Sequence, residues 1–421
     1  MSNIYFDQGS NRNSCSKKKS VDKILDKAIS GHDVTADECI QLFETEGQAA
    51  TRVFEAANFL RSQVNGNKVS FVVNRNINFT NICYMGCRFC GFAKRIEDAD
   101  AEWLQIEEIV DRAKEASRRG ATEVCIQGGL HPKMRGFYYR DLVRAIKTEI
   151  PNIHIHAFSP FEIWYGSSKT GLSYEEFLMC LKEAGLGSMP GTAAEILDTS
   201  VRKQLTKNKL SAAEWIKIIK TAHLLGIRST ATIMYGHVDR SEHWAKHIEL
   251  IRTIQKETRG FTEFVPLSFV HSNSPLFKNN PSVVRPGPSI DEIKKMHAIS
   301  RIMLNGWVNN IQVSWTKLGP KLAQEMLYLG VNDLGGTLMN ESISRSAGAN
   351  NGQELTPVEM SKLIRMAGKI PVRRNTLYES LEVYDVHEPN VTEPLVNREQ
   401  MDPLAFLRKG SSNKREGRFV P

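Results

Sequence analysis

Residues 103–127 read WLQIEEIVDRAKEASRRGATEVCIQ, an amphipathic helix followed by a short apolar strand. Ile106, Ile109, Val110, Ala113 and Ala116 fall on one helical stripe, while Glu107, Asp111, Lys114 and Arg118 lie elsewhere around the axis. After Gly120 the period changes, and Thr122–Gln127 reads as a strand. The same change of period recurs on both sides of this unit. Strands are expected at 69–78, 122–127, 153–159, 187–192, 228–234, 263–270, 308–314 and 331–336. Helices are expected near 103–119, 138–149, 173–185, 211–226, 240–257, 289–305 and 316–329. Alternation of this kind calls for a parallel sheet with right-handed crossovers. Eight units suit an α/β fold of the closed (βα)8 type. The fourth and eighth strands are short and rich in glycine, so a partial, open barrel is the alternative.

Around the barrel, residues 69–345, the pattern divides the chain further. Residues 21–68 carry small helices, with Ile24, Leu25 and Ala28, then Val53, Phe54, Ala57 and Leu60, at helical spacing. Residues 346–385 are expected to form a helical extension, with a helix opened by Thr356-Pro357. Residues 1–20 read as a disordered basic tail, and 386–421 as a surface strap that becomes a second one, with Leu404, Phe406 and Leu407 docking locally. Of the net charge of +8, residues 1–20 and 398–421 carry +3 each, rather than a folded face, which argues against a nucleic-acid partner. No run of apolar residues is long enough to span a membrane, and no secretory h-region opens the chain. A cytoplasmic protein with no membrane partner is the expectation.

Seven cysteines are present, and Cys83, Cys87 and Cys90 fall together in C-x3-C-x2-C spacing just after the first strand. Such a cluster invites a metal rather than disulfides. Three thiolates on one loop can hold three corners of an iron–sulfur cube, leaving one iron with open coordination. Gly86 and Gly91 let the loop wrap closely. The alternative is zinc, with His131 or His271 completing a tetrahedral set, in a zinc-stabilised nucleic-acid-binding protein. A loop that ends a strand of a large barrel favours the cluster, because function collects on that face. Cys125 and Cys180 sit within apolar patterns and read as core thiols.

With Phe89 just before the last cysteine, this motif after the first strand of a βα barrel resembles the radical S-adenosylmethionine (SAM) superfamily. The resemblance implies a [4Fe-4S] cluster whose unique iron is chelated by SAM, and one-electron cleavage of SAM to methionine and a 5′-deoxyadenosyl radical. It places Gly128 and Gly129, at the end of strand two, against the methionine amino group. Glu195, after strand four, would bind the ribose hydroxyls or the ammonium of SAM; a solvated acid at a helix start is the other reading. Ile233 would flank adenine, and His237 would face the substrate or serve as a core histidine.

Longer stretches resemble one family within the superfamily, the FO synthase subunit 2 (tyrosine 4-hydroxyphenyl transferase) family. They are Asn76–Cys83, Cys125–Pro132, Thr232–His237, Glu263–His271 and Gly335–Arg345. The family's chemistry joins the 4-hydroxybenzyl group of L-tyrosine to 5-amino-6-(D-ribitylamino)uracil. Hydrogen abstraction from the tyrosine amine and Cα–Cβ cleavage precede the joining, and 2-iminoacetate leaves. FO synthase subunit 1 then closes the ring, and a ferredoxin or flavodoxin supplies the electron. One C-x3-C-x2-C motif and one barrel suit one of these two steps. Asn340, Glu341, Ser342 and Gln312 are candidates for the uracil edge. Arg345 is the candidate for the tyrosine carboxylate, with a bridge to the C-terminal extension as the other reading. His131, His237 and His271 are candidate proton handlers. A menaquinone-pathway enzyme, aminofutalosine synthase or dehypoxanthine futalosine cyclase, shares the motif and the barrel; the Gln127–Pro132 and Asn340–Arg345 runs favour the transferase.

Overall fold

The computed structural model describes residues 20–384; the two tails expected at the ends of the chain lie outside them, apart from Ser20. Three helices, Val21–Ile29, Ala36–Phe43 and Gly47–Asn65, precede the first strand. The strands are β1 (Lys68–Val72), β2 (Asn74–Asn78), β3 (Glu123–Gln127), β4 (His154–Ala157), β5 (Ser188–Met189), β6 (Arg228–Tyr235), β7 (Phe261–Ser268), β8 (Asp333–Gly336), β9 (Ile370–Arg374) and β10 (Ser380–Val383).

β2 to β7 form one parallel sheet in sequence order. Single parallel bridges, Phe264 to Ile311 and Gln312 to Asp333, carry the ladder on through residues 311–312 to β8. β8 pairs in parallel with β1, and β1 runs directly into β2 across Val73. Residues 68–78 are thus one long stave that closes the ring. The Thr337 amide donates to the Val72 carbonyl at 3.0 Å, and the Asn76 amide to the Leu338 carbonyl at 3.0 Å. All eight expected strand regions are staves of this barrel. The fourth is thin, two residues of regular strand, and so is the seventh, which holds only by bridges.

The helices follow the expected pattern, and five of them begin with a Ser/Thr-x-x-Glu capping box, at Thr35, Ser159, Ser173, Ser289 and Thr356. The helix Pro160–Thr170 was not expected, since its first turn reads as the tail of a strand; the Ser159-Pro160 start and Glu162 were the available signal. The N-terminal helices pack on Ile290–Met303 and Ser241–Thr258. Arg252, buried between them, donates to the carbonyls of Val34 and Met303 at 2.8 and 3.1 Å.

The C-terminal extension departs from expectation. It holds the helix Pro357–Met366 but continues into β9 and β10 rather than more helix. β9 lies parallel to β1 on the edge opposite β8. Ile370-Pro-Val is too short and too β-branched to propagate a helix, and Pro371 removes a donor. β9 delivers Arg374 to the floor of the barrel. Its guanidinium donates to both oxygens of Asp333, Nε to Oδ2 at 2.6 Å and Nη2 to Oδ1 at 2.9 Å, with Arg374 3% and Asp333 0% exposed. Just beyond, Thr376 donates to Glu123 at 2.6 Å and the Tyr378 hydroxyl to Glu263.

Candidate active site

A strand shows alternate residues to alternate faces, and in this barrel the inward set is polar. Asn74 and Asn76 of β2, Glu123, Cys125 and Gln127 of β3, Thr230, Thr232 and Met234 of β6, and Glu263 of β7 all line one cavity of about 370 Å3. It reaches from the Arg374–Thr376 floor up to Phe89 and Cys90. There it adjoins a second cavity of about 180 Å3, lined by Cys83, Cys87, Cys90, Gly128, Gly129, Phe161, Glu162 and Lys209. Phe89, Cys90, Gln127 and Thr192 border both.

The three cysteines are free, half-buried thiols on the loop after β2. Short bridges, Thr80 to Trp103 and Ile82 to Lys94, pin the loop at its base. Gly91 packs so tightly on the 346–347 segment that an added Cβ would stand 2.9 Å from the Cα of Ala347. Burial pushes the Cys87 thiol up, against the nearby Lys209 ammonium and a hydrogen bond from Thr206. Burial pushes Cys90 to about 11, opposed by the backbone amides of Phe92 and Ala93. Cations and donors at the sulfurs are what thiolate ligands require. No fourth cysteine and no histidine lines this cavity among the described residues. Nor do any three His, Cys, Asp or Glu side chains there converge on a single-ion site. The donor set therefore fits a three-thiolate cluster with an open corner.

Gly128 and Gly129 form the wall facing the cysteines. A Cβ on Gly129 would stand 2.3 Å from the carbonyl oxygen of Ile82, and one on Gly128 would enter the Phe79 ring at 2.4 Å. The glycines are needed for close approach, as their backbone is not in the left-handed region. The Gly129 amide donates to the Thr80 carbonyl at 2.8 Å, and the Gly128 amide to Glu162 at 3.0 Å. Glu162, 2% exposed, also accepts from the Ser159 amide and hydroxyl at 2.7 Å each. With no cation beside it, burial raises its carboxyl to about 7 against those hydrogen bonds.

Glu195 lines the larger cavity but forms an ion pair with Lys209. Burial pushes its carboxyl up; Lys209, with Arg202 and His237 behind it, outweighs that and holds it low. The Lys209 ammonium also stands 4.8 Å from the centre of the Phe89 ring. Of the C-terminal candidates, Glu341 lines the cavity. Ser342 is half-buried and donates to Asn78 at 2.9 Å rather than facing the cavity.

Several expectations are corrected. Ile233 is wholly buried and faces away from the cavity; its neighbours Thr232 and Met234 line it, because strand parity allows only alternate residues inward. Asn340 and Arg345 are exposed and line neither cavity. The three histidines line neither cavity as well. His131 stacks on Trp103 at 4.0 Å and accepts from the Lys133 amide at 3.1 Å. His237 is locked between the Val238 amide, the Met234 carbonyl and Asp239, and burial holds its pKa down. His271 packs on Phe277 at 4.6 Å. Cys125 is no core thiol: it points into the cavity beside Gln127. Sequence reading missed Asn74, Asn76, Glu123, His156, Glu263, Lys317, Arg374 and Thr376; polar residues every second position in otherwise apolar strands were the signal for most of them.

Barrel, three-sulfur loop and glycine wall together define a radical SAM fold and site. The description "Radical SAM superfamily" matches residues 77–251, and "CofH/MqnC C-terminal region" matches residues 258–386. The chain is similar in fold to HydG, a maturase of the [FeFe]-hydrogenase, with a TM-score of 0.68 at 16% identity over 86% of this chain and 77% of that one. It is likewise similar to methylornithine synthase (PylB), with a TM-score of 0.65 at 18% identity over 83% of this chain and 97% of that one. It is 47% identical, over 86% of its length, to 97% of the 5-amino-6-(D-ribitylamino)uracil–L-tyrosine 4-hydroxyphenyl transferase of Methanothermobacter thermautotrophicus. It is 52% identical, over 82% of its length, to the FO synthase of Mycobacterium tuberculosis H37Rv, of which it spans only 40%. The chain belongs to the tyrosine 4-hydroxyphenyl transferase family of the radical SAM superfamily.

Proposed function

We propose that this protein is a radical SAM transferase of coenzyme FO biosynthesis. It joins the 4-hydroxybenzyl group of L-tyrosine to 5-amino-6-(D-ribitylamino)uracil. The products are 5-amino-5-(4-hydroxybenzyl)-6-(D-ribitylimino)-5,6-dihydrouracil, 2-iminoacetate, methionine and 5′-deoxyadenosine. The observation that carries this reading is the junction of the two cavities at Phe89 and Cys90. A chamber large enough for a small-molecule substrate, with polar groups set in a largely apolar lining, opens directly on the three-sulfur pocket. Two relatives matched over nearly their whole length are named for these substrates, which supports the reading.

Cys83, Cys87 and Cys90 would hold a [4Fe-4S] cluster, which would supply the electron for one-electron cleavage of SAM. The chain's residues do the rest by placement and exclusion of water. Gly128 and Gly129 let SAM approach the sulfurs, and Phe89 stands at the passage between the cavities. Asn76 and Gln312 offer the donor–acceptor pairs that a diaminouracil edge needs, while Asn74 and Gln127 are held by Glu123, Leu338, Thr192 and Cys125. Arg374, Thr376 and their carboxylate partners close the chamber below. The partner is FO synthase subunit 1, which takes the product, with ferredoxin or flavodoxin as reductant. A cytoplasmic site of action agrees with the absence of any described helix long and apolar enough to cross a membrane.

The test is anaerobic incubation of the reconstituted, reduced protein with L-tyrosine, SAM and the ribityl-diaminouracil. A hydroxybenzyl adduct detected by mass spectrometry is the expected result. Formation of 5′-deoxyadenosine without the adduct refutes the substrate assignment.

A further inference from the structure

The chamber holds several charged groups, and nearly all of them are committed. Arg374 is bound to Asp333. Glu195 is paired with Lys209, and Glu263 accepts from Tyr378. Two groups remain. Lys317, on the short helix Trp315–Leu318, lines the chamber and makes no side-chain hydrogen bond or ion pair among the described residues. Glu341 lines the same chamber at 5% exposure. Its Oε1 accepts from the Ser344 amide at 2.8 Å, while its Oε2 is buried with no hydrogen-bond partner. Burial depresses the Lys317 ammonium, and Glu341 is the largest charge opposing that.

A half-buried ammonium with no protein partner is open to a ligand, and a buried carboxylate oxygen with none is costly unless a ligand completes it. A zwitterionic α-amino acid brings one group of each sign. We propose that Lys317 receives the α-carboxylate, and Glu341 the α-amino group, of the amino-acid substrate. This rests on the reading that the substrate is L-tyrosine. The position suits the chemistry expected at the amine. Glu341 caps the segment that carries Ala347, and Ala347 is packed against Gly91, the residue after Cys90. The amino group is thereby held beside the cluster loop. Trp315, whose indole donates to the Gly336 carbonyl at 2.9 Å, fixes the helix bearing Lys317 against the end of β8. Arg345, the cation expected from the sequence, is exposed and leaves this role to Lys317.

The test is calorimetric binding to the anaerobically reconstituted, SAM-loaded protein, with three ligands: L-tyrosine, tyramine, which lacks the carboxylate, and 3-(4-hydroxyphenyl)propionate, which lacks the amine. Lys317→Met should weaken L-tyrosine roughly ten- to a hundredfold and leave tyramine unchanged. Lys317→Arg should restore most of the L-tyrosine affinity. Glu341→Gln should weaken L-tyrosine and tyramine but not the propionate. Equal losses for L-tyrosine and tyramine in Lys317→Met overturn the assignment, since they report a packing defect. L-tyrosine binding unaltered in both variants overturns the pair while leaving tyrosine as the substrate. A wild type that ignores L-tyrosine but holds another α-amino acid, with the same variant pattern, sustains the pair and removes tyrosine. A wild type that holds no α-amino acid overturns the pair.

Discussion

Replacing Arg374 by Met removes the cation from the floor of the chamber and keeps most of the side-chain volume. In the native protein that guanidinium makes two hydrogen bonds to Asp333, at 2.6 and 2.9 Å, and stands 3.7 Å from Glu263. All three residues are less than a tenth exposed. The change strands the Asp333 carboxylate, whose remaining donors are the Ser70 hydroxyl and the Gly335 amide. Breaking a buried ion pair by removing one partner costs about 3–5 kcal/mol, because the surviving charge stays out of water. For a chain of this size that is a fall in melting temperature of roughly 3–6 °C. The double variant Arg374→Met/Asp333→Asn removes both charges and should recover a large part of the loss. Thermal unfolding of the three proteins, followed by circular dichroism at one scan rate and one iron loading, measures it. A single variant that melts within about 2 °C of the wild type would refute the reasoning, and so would a double variant no better than the single.

Gly129→Ala should fold but lose most of its iron and sulfide after reconstitution, since the new Cβ meets backbone at Ile82 that cannot yield without moving Cys83; normal iron content would contradict this. Alanine at Cys83, Cys87 or Cys90 should abolish 5′-deoxyadenosine formation while leaving the far-ultraviolet circular dichroism intact, and cleavage retained in any one of the three removes that residue from the ligand set. Glu162 gives a pH test. Its folded pKa of about 7 lies above the unfolded value, so the native state binds the proton more tightly, and stability falls as pH rises from the unfolded pKa toward 7. Glu162→Gln lacks that dependence, so its melting temperature relative to the wild type should rise between pH 5 and pH 8 by the equivalent of about 2–3 kcal/mol; a gap that stays flat across this range excludes the assignment.

The frame of this protein was legible because its signals are periodic and local. The stripe Ile109, Val110, Ala113, Ala116 and the capping boxes at Ser173, Ser289 and Thr356 needed only neighbouring residues to be read. The cysteine trio was legible for the same reason. What failed depended on partners distant in the chain. Ile233 was placed one residue out of phase, and in a strand one residue exchanges the inner face for the outer. His131 ends its strand where function gathers, yet it is held by Trp103, which no spacing in the sequence brings to mind. Arg345 looked like the anion-binding residue because it is charged and follows strand eight. Lys317 was overlooked because it sits inside an apolar helical pattern, and only the folded ring reveals which way it faces. β9 escaped notice because its strand character comes from lying alongside β1, roughly three hundred positions earlier.

The floor delivered by β9 bears on biogenesis. The sulfur-bearing loop is made roughly three hundred positions before Arg374, Thr376 and Tyr378. A nascent chain therefore owns its three-cysteine loop long before it can form the Arg374–Asp333 pair that closes the base. The base of the ring is set after its mouth, and the Arg374–Asp333 closure waits on a strand made long after the first stave of the barrel.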